Sequence, residues 1–168
     1  MTTRETAFGG LASRPETLRA IARLGWTAPP PIQLKVIPKL AAGLDVAGQA
    51  ETGSGKTGAF VIPMVERLDR GTRAIQALIL APTRELALQI GDAVRDLGGP
   101  SVRVATLYGG QPIERQLTAL RAGVHVVVAT PGRLLDHLNR RTVRLDGVRF
   151  LVLDEADRML DMGFLPDV

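Results

Sequence analysis

The sequence predicts an α/β fold: a mostly parallel sheet flanked by helices. Two observations predict it. Short apolar runs rich in β-branched residues alternate with amphipathic stretches along the chain. The runs are near-continuously apolar, without the polar alternation of a half-solvated strand, which is the pattern of parallel strands buried on both faces. Strand, helix, strand, helix is the order of crossover units around such a sheet.

The strand intervals are 74–81, 102–107, 124–130 and 150–153, with a further one at 45–49 before a glycine-rich turn. The helices start and stop at recognisable residues. Ser13-Arg14-Pro15-Glu16 offers an N-cap serine with proline in the first turn, and that helix should run to about Leu24 and stop at Gly25. A second spans 32–42 and ends at Gly43, with Pro38 expected to kink or interrupt it. A third, 56–68, follows the glycine-rich turn. Thr83 should cap a fourth through Leu97, ended by Gly98-Gly99. Intervals 112–121 and 131–140 complete the set. Residues 1–7 read as a mobile N-terminal segment and 8–168 as one domain.

Composition excludes several function classes. The 168 residues contain no cysteine, so disulfides and thiolate metal sites are ruled out, and the two histidines, His125 and His137, are too few for a metal site and are assigned to structure. The polar start lacks a signal peptide's apolar core, and no apolar run approaches the ~20 residues of a membrane span. A soluble, cytoplasmic protein is expected. The net charge of +4 suits a nucleic-acid partner. Three lysines leave 18 of the 21 basic residues as arginine, which a compositional bias of the genome explains equally well.

The strongest local feature is Ala50-Glu51-Thr52-Gly53-Ser54-Gly55-Lys56-Thr57. It matches the phosphate-loop pattern except that Ala50 stands at the first glycine. Gly53 and Gly55 would let the backbone wrap a phosphate with its N–H groups inward, and the following helix presents its positive end to the same anion. Lys56 would reach the β- and γ-phosphates of a nucleotide, and Thr57 would offer a hydroxyl to Mg²⁺. The competing reading is a flexible turn with an incidental lysine. Later, Leu151-Val152-Leu153 opens into Asp154-Glu155-Ala156-Asp157. An acid at the end of a buried strand is what a magnesium–nucleotide site needs. Asp154 would hold Mg²⁺, largely through water, and Glu155 would act as general base. A solvated acidic helix start is the alternative.

Lys56 and Asp-Glu-Ala-Asp together resemble the DEAD-box RNA helicases, and further segments extend the resemblance. Pro82-Thr83-Arg84-Glu85-Leu86-Ala87 resembles that family's first RNA-contact motif, Gly109-Gly110 its double-glycine turn, and Thr130-Pro131-Gly132-Arg133 its next RNA-contact motif. Gly25-Trp26-Thr27-Ala28-Pro29-Pro30-Pro31-Ile32-Gln33 resembles its adenine-reading segment, the Q motif, and Phe8 stands where the family keeps an isolated aromatic. The resemblance covers nearly the whole chain. It implies a RecA-like phosphate-loop domain, ATP and Mg²⁺ as cofactors, and RNA held mainly by its sugar–phosphate backbone through Pro82, Thr83, Arg84, Gly109, Gly110, Thr130, Pro131, Gly132 and Arg133. It implies that Gln33 selects adenine, that Phe8 stacks on the base, and that Asp157 couples the two domains of the helicase. Read without the resemblance, Gln33 is an exposed helix residue, Phe8 a core contact, Thr83 and Thr130 simple N-caps, and Trp26 and Tyr108 packing residues.

Two departures stand out. Pro30 replaces the hydroxyl residue usual after the Q-motif proline and offers neither O–H nor N–H. The family's Ser-Ala-Thr motif follows the acidic tetrad by a few dozen residues, whereas this chain ends eleven residues after Asp157. The resemblance therefore implies a domain incomplete at its C-terminal end and a second RecA-like domain, carrying arginine fingers and half of the RNA groove, that is absent here. Little activity is expected of the chain alone. A non-catalytic nucleotide- or RNA-binding module and a DNA translocase of the same superfamily remain the alternatives.

Overall fold

The computed structural model describes residues 7–51 and 53–168; the segment 1–6 and Thr52 lie outside the described residues. The chain forms two compact units. One runs through Leu68 and adds Ala93–Ser101; the other comprises Asp69–Asp92 and Val102–Val168.

In the first unit, α1 (Pro15–Arg23) and α2 (Pro31–Ala41) pack against α3 (Lys56–Arg67). Within α3 the stretch Val61-Ile62-Pro63-Met64-Val65 is buried without interruption, so this helix is enclosed nearly all round. Ile21 of α1 and Ile37 of α2 join the same apolar interior. Three local expectations change. The N-cap of α1 is Arg14, not Ser13, because the Ser13 hydroxyl donates instead to Glu66 Oε2 at 2.7 Å. The backbone N–H groups of Ser13 and Arg14 donate to the same carboxylate. Helix α2 is not interrupted at Pro38: the Pro38 carbonyl accepts the Ala42 N–H at 3.0 Å, and packing on α3 offsets the one missing bond. Residues 45–49 are not a strand. With one β-branched residue and a glycine, the segment depends on a partner strand for extended pairing, and it pairs with none.

The second unit is a four-stranded sheet. β1 (Ala77–Leu80), β2 (Val104–Leu107), β3 (Val126–Ala129) and β4 (Phe150–Leu153) are all parallel, in the order β2-β3-β1-β4. Central β1 and β3 are buried at every residue, which is why their sequences are unbroken Ala-Leu-Ile-Leu and Val-Val-Val-Ala. β4 is an edge, with Leu151 61% and Leu153 42% exposed. The crossovers are α4 (Arg84–Gly98), whose last residues belong to the first unit, α5 (Ile113–Arg121) and α6 (Pro131–Asn139); α7 (Ala156–Asp161) follows β4. Leu78, Leu80, Leu107, Val127, Leu134 and Met159 lie in one apolar core.

His125, fully buried before β3, ties the sheet's lower end. Its Nδ1 accepts the Arg103 backbone N–H at 3.1 Å, which leaves Nε2 to carry the proton toward the Thr72 carbonyl at 3.0 Å. Burial first, and then the Arg103 guanidinium, hold this imidazole below its ordinary pKa. Among the described residues no helix is long and apolar enough to cross a membrane.

Candidate functional site

The first unit carries the phosphate loop. Gly53 (φ 80°) and Gly55 (φ 89°) both have left-handed backbones, which a side chain would strain, and Gly55 is the N-cap of α3. The loop thus hands directly to a helix N-terminus, as anion binding requires. Lys56 Nζ donates to the Ala50 carbonyl at 2.5 Å, so the ammonium spans the loop. Glu51 is exposed, and its carbonyl accepts the Ser54 N–H; Thr57 is half-buried in the first turn of α3.

Gln33 is only 1% exposed, and its Nε2 donates to the Gly55 carbonyl at 3.1 Å. It is therefore not an exposed helix residue but a tether on the phosphate loop. Its Oε1 and the Ser54 Oγ are buried without hydrogen-bond partners. Buried polar atoms are normally satisfied. A hydroxyl able to donate to phosphate and an amide oxygen able to accept, both unpartnered beside left-handed glycines at a helix start, suit a bound nucleotide. Phe8 is buried, its ring 6.4 Å from that of Trp26. In this conformation it is a core contact. Pro30 packs over the loop: a Cβ built on Gly55 would lie 2.8 Å from its ring.

The second unit collects the other motifs. The registers Leu107↔Ala129, Leu80↔Ala129 and Leu80↔Leu153 bring the ends of all four strands level. Each motif begins where a strand stops. In sheet order these are Gly109-Gly110 after β2, Thr130–Arg133 after β3, Pro82–Arg84 after β1, and Asp154-Glu155 after β4. Adjacent strands are ~4.8 Å apart, so the four motifs form a row about 14 Å long. Ligands of open parallel sheets bind along this carboxyl-terminal edge.

Within the row, the Thr83 hydroxyl accepts the Leu86 N–H at 3.3 Å and caps α4. Thr130 stands at the N-cap of α6, with Pro131 buried behind it, but makes no side-chain cap bond. Its role is therefore not simple capping. Gly110 (φ 81°) holds a left-handed turn, and Gly109 and Gly132 are exposed. The Arg84 guanidinium lies 4.9 Å above the Tyr108 ring, within cation–π range. Arg133 Nη1 donates to the Gln111 carbonyl at 3.1 Å. Asp154 Oδ1 accepts the Glu155 N–H at 3.1 Å. Glu155 has a left-handed backbone (φ 49°) that turns the chain from β4 into α7, and its Oε2 accepts from Arg158 Nη1. Asp157 is exposed in the first turn of α7. No group of three or more His, Asp or Glu able to hold a metal occurs among the described residues.

Behind this row lie Tyr108 and His137, read from the sequence as packing and structural residues, and Gln116, which the sequence did not single out. Tyr108, Gln116 and His137 are buried and linked to Arg84, Gln111 and Arg133. Their joint role depends on where α5 and α6 land, and no local pattern announces it.

A parallel sheet with motif-bearing loops at its carboxyl-terminal edge, in a chain with a phosphate loop, defines a nucleotide-binding α/β protein. A profile of the DEAD/DEAH box helicases matches residues 30–168. The chain is 51% identical to the DEAD-box ATP-dependent RNA helicase CshA of Geobacillus kaustophilus (strain HTA426) over 97% of its length, which is 35% of that protein. Among solved structures, a DEAD box protein from the hyperthermophile Methanococcus jannaschii superposes with a TM-score of 0.90 at 44% identity. That match covers 96% of this chain and 44% of the other. A hypothetical ATP-dependent RNA helicase from Sulfolobus tokodaii gives 0.82 at 38% identity, over 90% of this chain and 44% of that one. The chain belongs to the DEAD/DEAH box helicase family, and its fold is RecA-like. It spans 35–44% of the length of these relatives.

Proposed function

We propose that this chain is the ATP-binding N-terminal part of a cytoplasmic, ATP-dependent DEAD-box RNA helicase. That enzyme would couple ATP binding and hydrolysis to local RNA duplex unwinding or remodelling of RNA–protein complexes. The observation that carries the reading is the level row of four motifs along one sheet edge.

In this reading Lys56 and the N–H groups from Ala50 to Thr57 hold the phosphates of ATP, with Gln33 on the adenine and Phe8 near it. Thr57 and Asp154 hold magnesium, whose charge when bound with the nucleotide would offset that developing on the phosphates. Glu155 orients and deprotonates the attacking water, with Arg158 on one of its two carboxylate oxygens. Pro82, Thr83, Arg84, Gly109, Gly110, Thr130, Pro131, Gly132 and Arg133 face RNA. Hydroxyls, backbone N–H groups and arginines recognise phosphate and sugar rather than bases, so binding is independent of sequence. Asp157 would couple to a second RecA-like domain of the whole protein.

The test is Lys56→Ala in the full-length protein. Loss of a charge-assisted phosphate contact should weaken ATP binding by about tenfold or more. ATPase rates should rise with RNA and not with DNA. Unchanged ATP affinity would refute the phosphate-loop assignment, and equal stimulation by DNA would refute the RNA assignment.

A further inference from the structure

Behind the double-glycine turn, the polar contacts converge on a side chain that belongs to no motif. Gln116 of α5 is 3% exposed. Its Nε2 donates to the Tyr108 carbonyl at 3.0 Å and to Gln111 Oε1 at 2.9 Å, the residues flanking Gly109-Gly110. Its Oε1 accepts from His137 Nε2 at 2.8 Å and from Arg133 Nη1 at 3.3 Å, both on α6. Two N–H donors and two acceptor positions are the whole capacity of a primary amide, and all four are used.

We propose that Gln116 is a positioning residue for RNA binding. It clamps the double-glycine turn to the start of α6, with His137 as its buried anchor. The proposal rests on the RNA reading of these motifs given above. Gly-Gly is the pair of residues with the most backbone freedom, so the turn's order must come from outside it. Binding a sugar–phosphate backbone by N–H groups and hydroxyls gains most when those groups are already in place. Gln116 faces the turn with its two donors and α6 with its acceptor. A flipped amide would set oxygen against the Tyr108 carbonyl and Gln111 Oε1. No other side chain offers this division at this length: glutamate lacks the donors, and methionine lacks both. Tyr108 extends the link, because its carbonyl is held by Gln116 while its ring underlies Arg84. One amide thereby bears on three of the four loops in the row.

The experiment uses the full-length protein carrying Gln116→Met, which keeps the volume and removes all four hydrogen bonds. RNA affinity is read by the anisotropy of a fluorescent single-stranded oligouridylate, nucleotide affinity by titration with a fluorescent ADP. RNA binding should weaken about tenfold, the effect of losing one strong hydrogen bond's worth of preorganisation, while nucleotide binding is retained. A merely structural role would lower both affinities together, in step with the folded fraction. Unchanged RNA affinity, or equal loss of both, overturns the proposal. Should Gln116→Met fail to fold, Gln111→Ala on the surface turn removes one arm of the clamp. It should weaken RNA binding roughly two- to threefold, and no change there overturns the proposal too. Failure of the unsubstituted protein to bind RNA would overturn the functional reading and this proposal with it.

Discussion

An alanine at position 58 sets two effects of opposite sign against each other. Gly58 lies in the first turns of α3, where glycine is a poor helix former, and Gly→Ala in a helix interior ordinarily stabilises by about 1 kcal/mol. Here the added Cβ would lie 2.5 Å from Gln33 Nε2 and 2.9 Å from a carbon of the Trp26 ring. Yielding disturbs packing at both neighbours, since Gln33 is buried and the half-buried Trp26 ring lies beside that of Phe8. Overpacking of this kind costs about 1–3 kcal/mol. Moving Gln33 also breaks its bond to the Gly55 carbonyl, worth about 0.5–1.5 kcal/mol. The balance is a net destabilisation of about 0.5–3.5 kcal/mol, so packing outweighs propensity. Urea unfolding would measure it as a lowered midpoint with unchanged slope. Nucleotide titration should show weaker binding, because the Gly55 carbonyl loses its tether. In a Gln33→Ala background part of the penalty should vanish, since one of the two clashing groups is gone. A Gly58→Ala protein as stable as its parent, or more so, would refute the reasoning.

Two further outcomes concern acid. The folded forms of His125 and His137 titrate below the ordinary 6.5, chiefly through burial and then through Arg103 and Arg133 respectively. The unfolded chain therefore binds more protons, and the histidines' contribution to stability is complete above about pH 6.5 and is lost as pH falls below it. Thermal midpoints from pH 8 to pH 5 should decline on this limb, and His125→Phe should flatten part of the decline while costing about 1–3 kcal/mol at neutral pH for the orphaned Arg103 N–H; a level profile in the parent would refute it. At Glu66, burial pushes the carboxyl up, but hydrogen bonds from Ser13 and Arg14 outweigh it and hold the group below 4.5. That stability is present above 4.5 and lost as pH falls below it, so Ser13→Ala should cost about 1 kcal/mol and raise the Glu66 titration midpoint in an NMR titration; an unmoved midpoint would count against the contact.

Whatever depends on local chemistry was legible in the sequence. The four strands fall inside apolar intervals; for central β1 and β3 burial on both faces leaves no other composition, while edge strands β2 and β4 are only partly buried. The intervals overran, mostly at their starts: 74–76, 81, 102–103, 124–125 and 130 lie outside the strands. Arg103 and His125 anchor the strands there through carbonyls and side chains. Thr83 capped as its position requires, because its partner is three residues away. Ser13 did not, because Glu66, 53 residues on, takes its hydroxyl. The phosphate loop was legible as spacing and residue type, and the segments at the sheet edge were picked out by their resemblance to the DEAD-box helicases. The Gln33–Gly55 bond and the Gln116–His137 contact were not legible, since they join residues 22 and 21 apart on elements whose approach is set by packing.

The turn at Glu155 has a consequence for how this position evolves. A left-handed backbone at a residue with a side chain costs on the order of 1 kcal/mol, a cost glycine would escape. Folding alone would therefore favour glycine there, and the ion pair with Arg158 recovers only part of the difference. Glutamate at this site is thus not the residue that folding alone would favour. A search for thermostable variants that scored only folding would be drawn to the position where, on the reading proposed here, hydrolysis has most to lose.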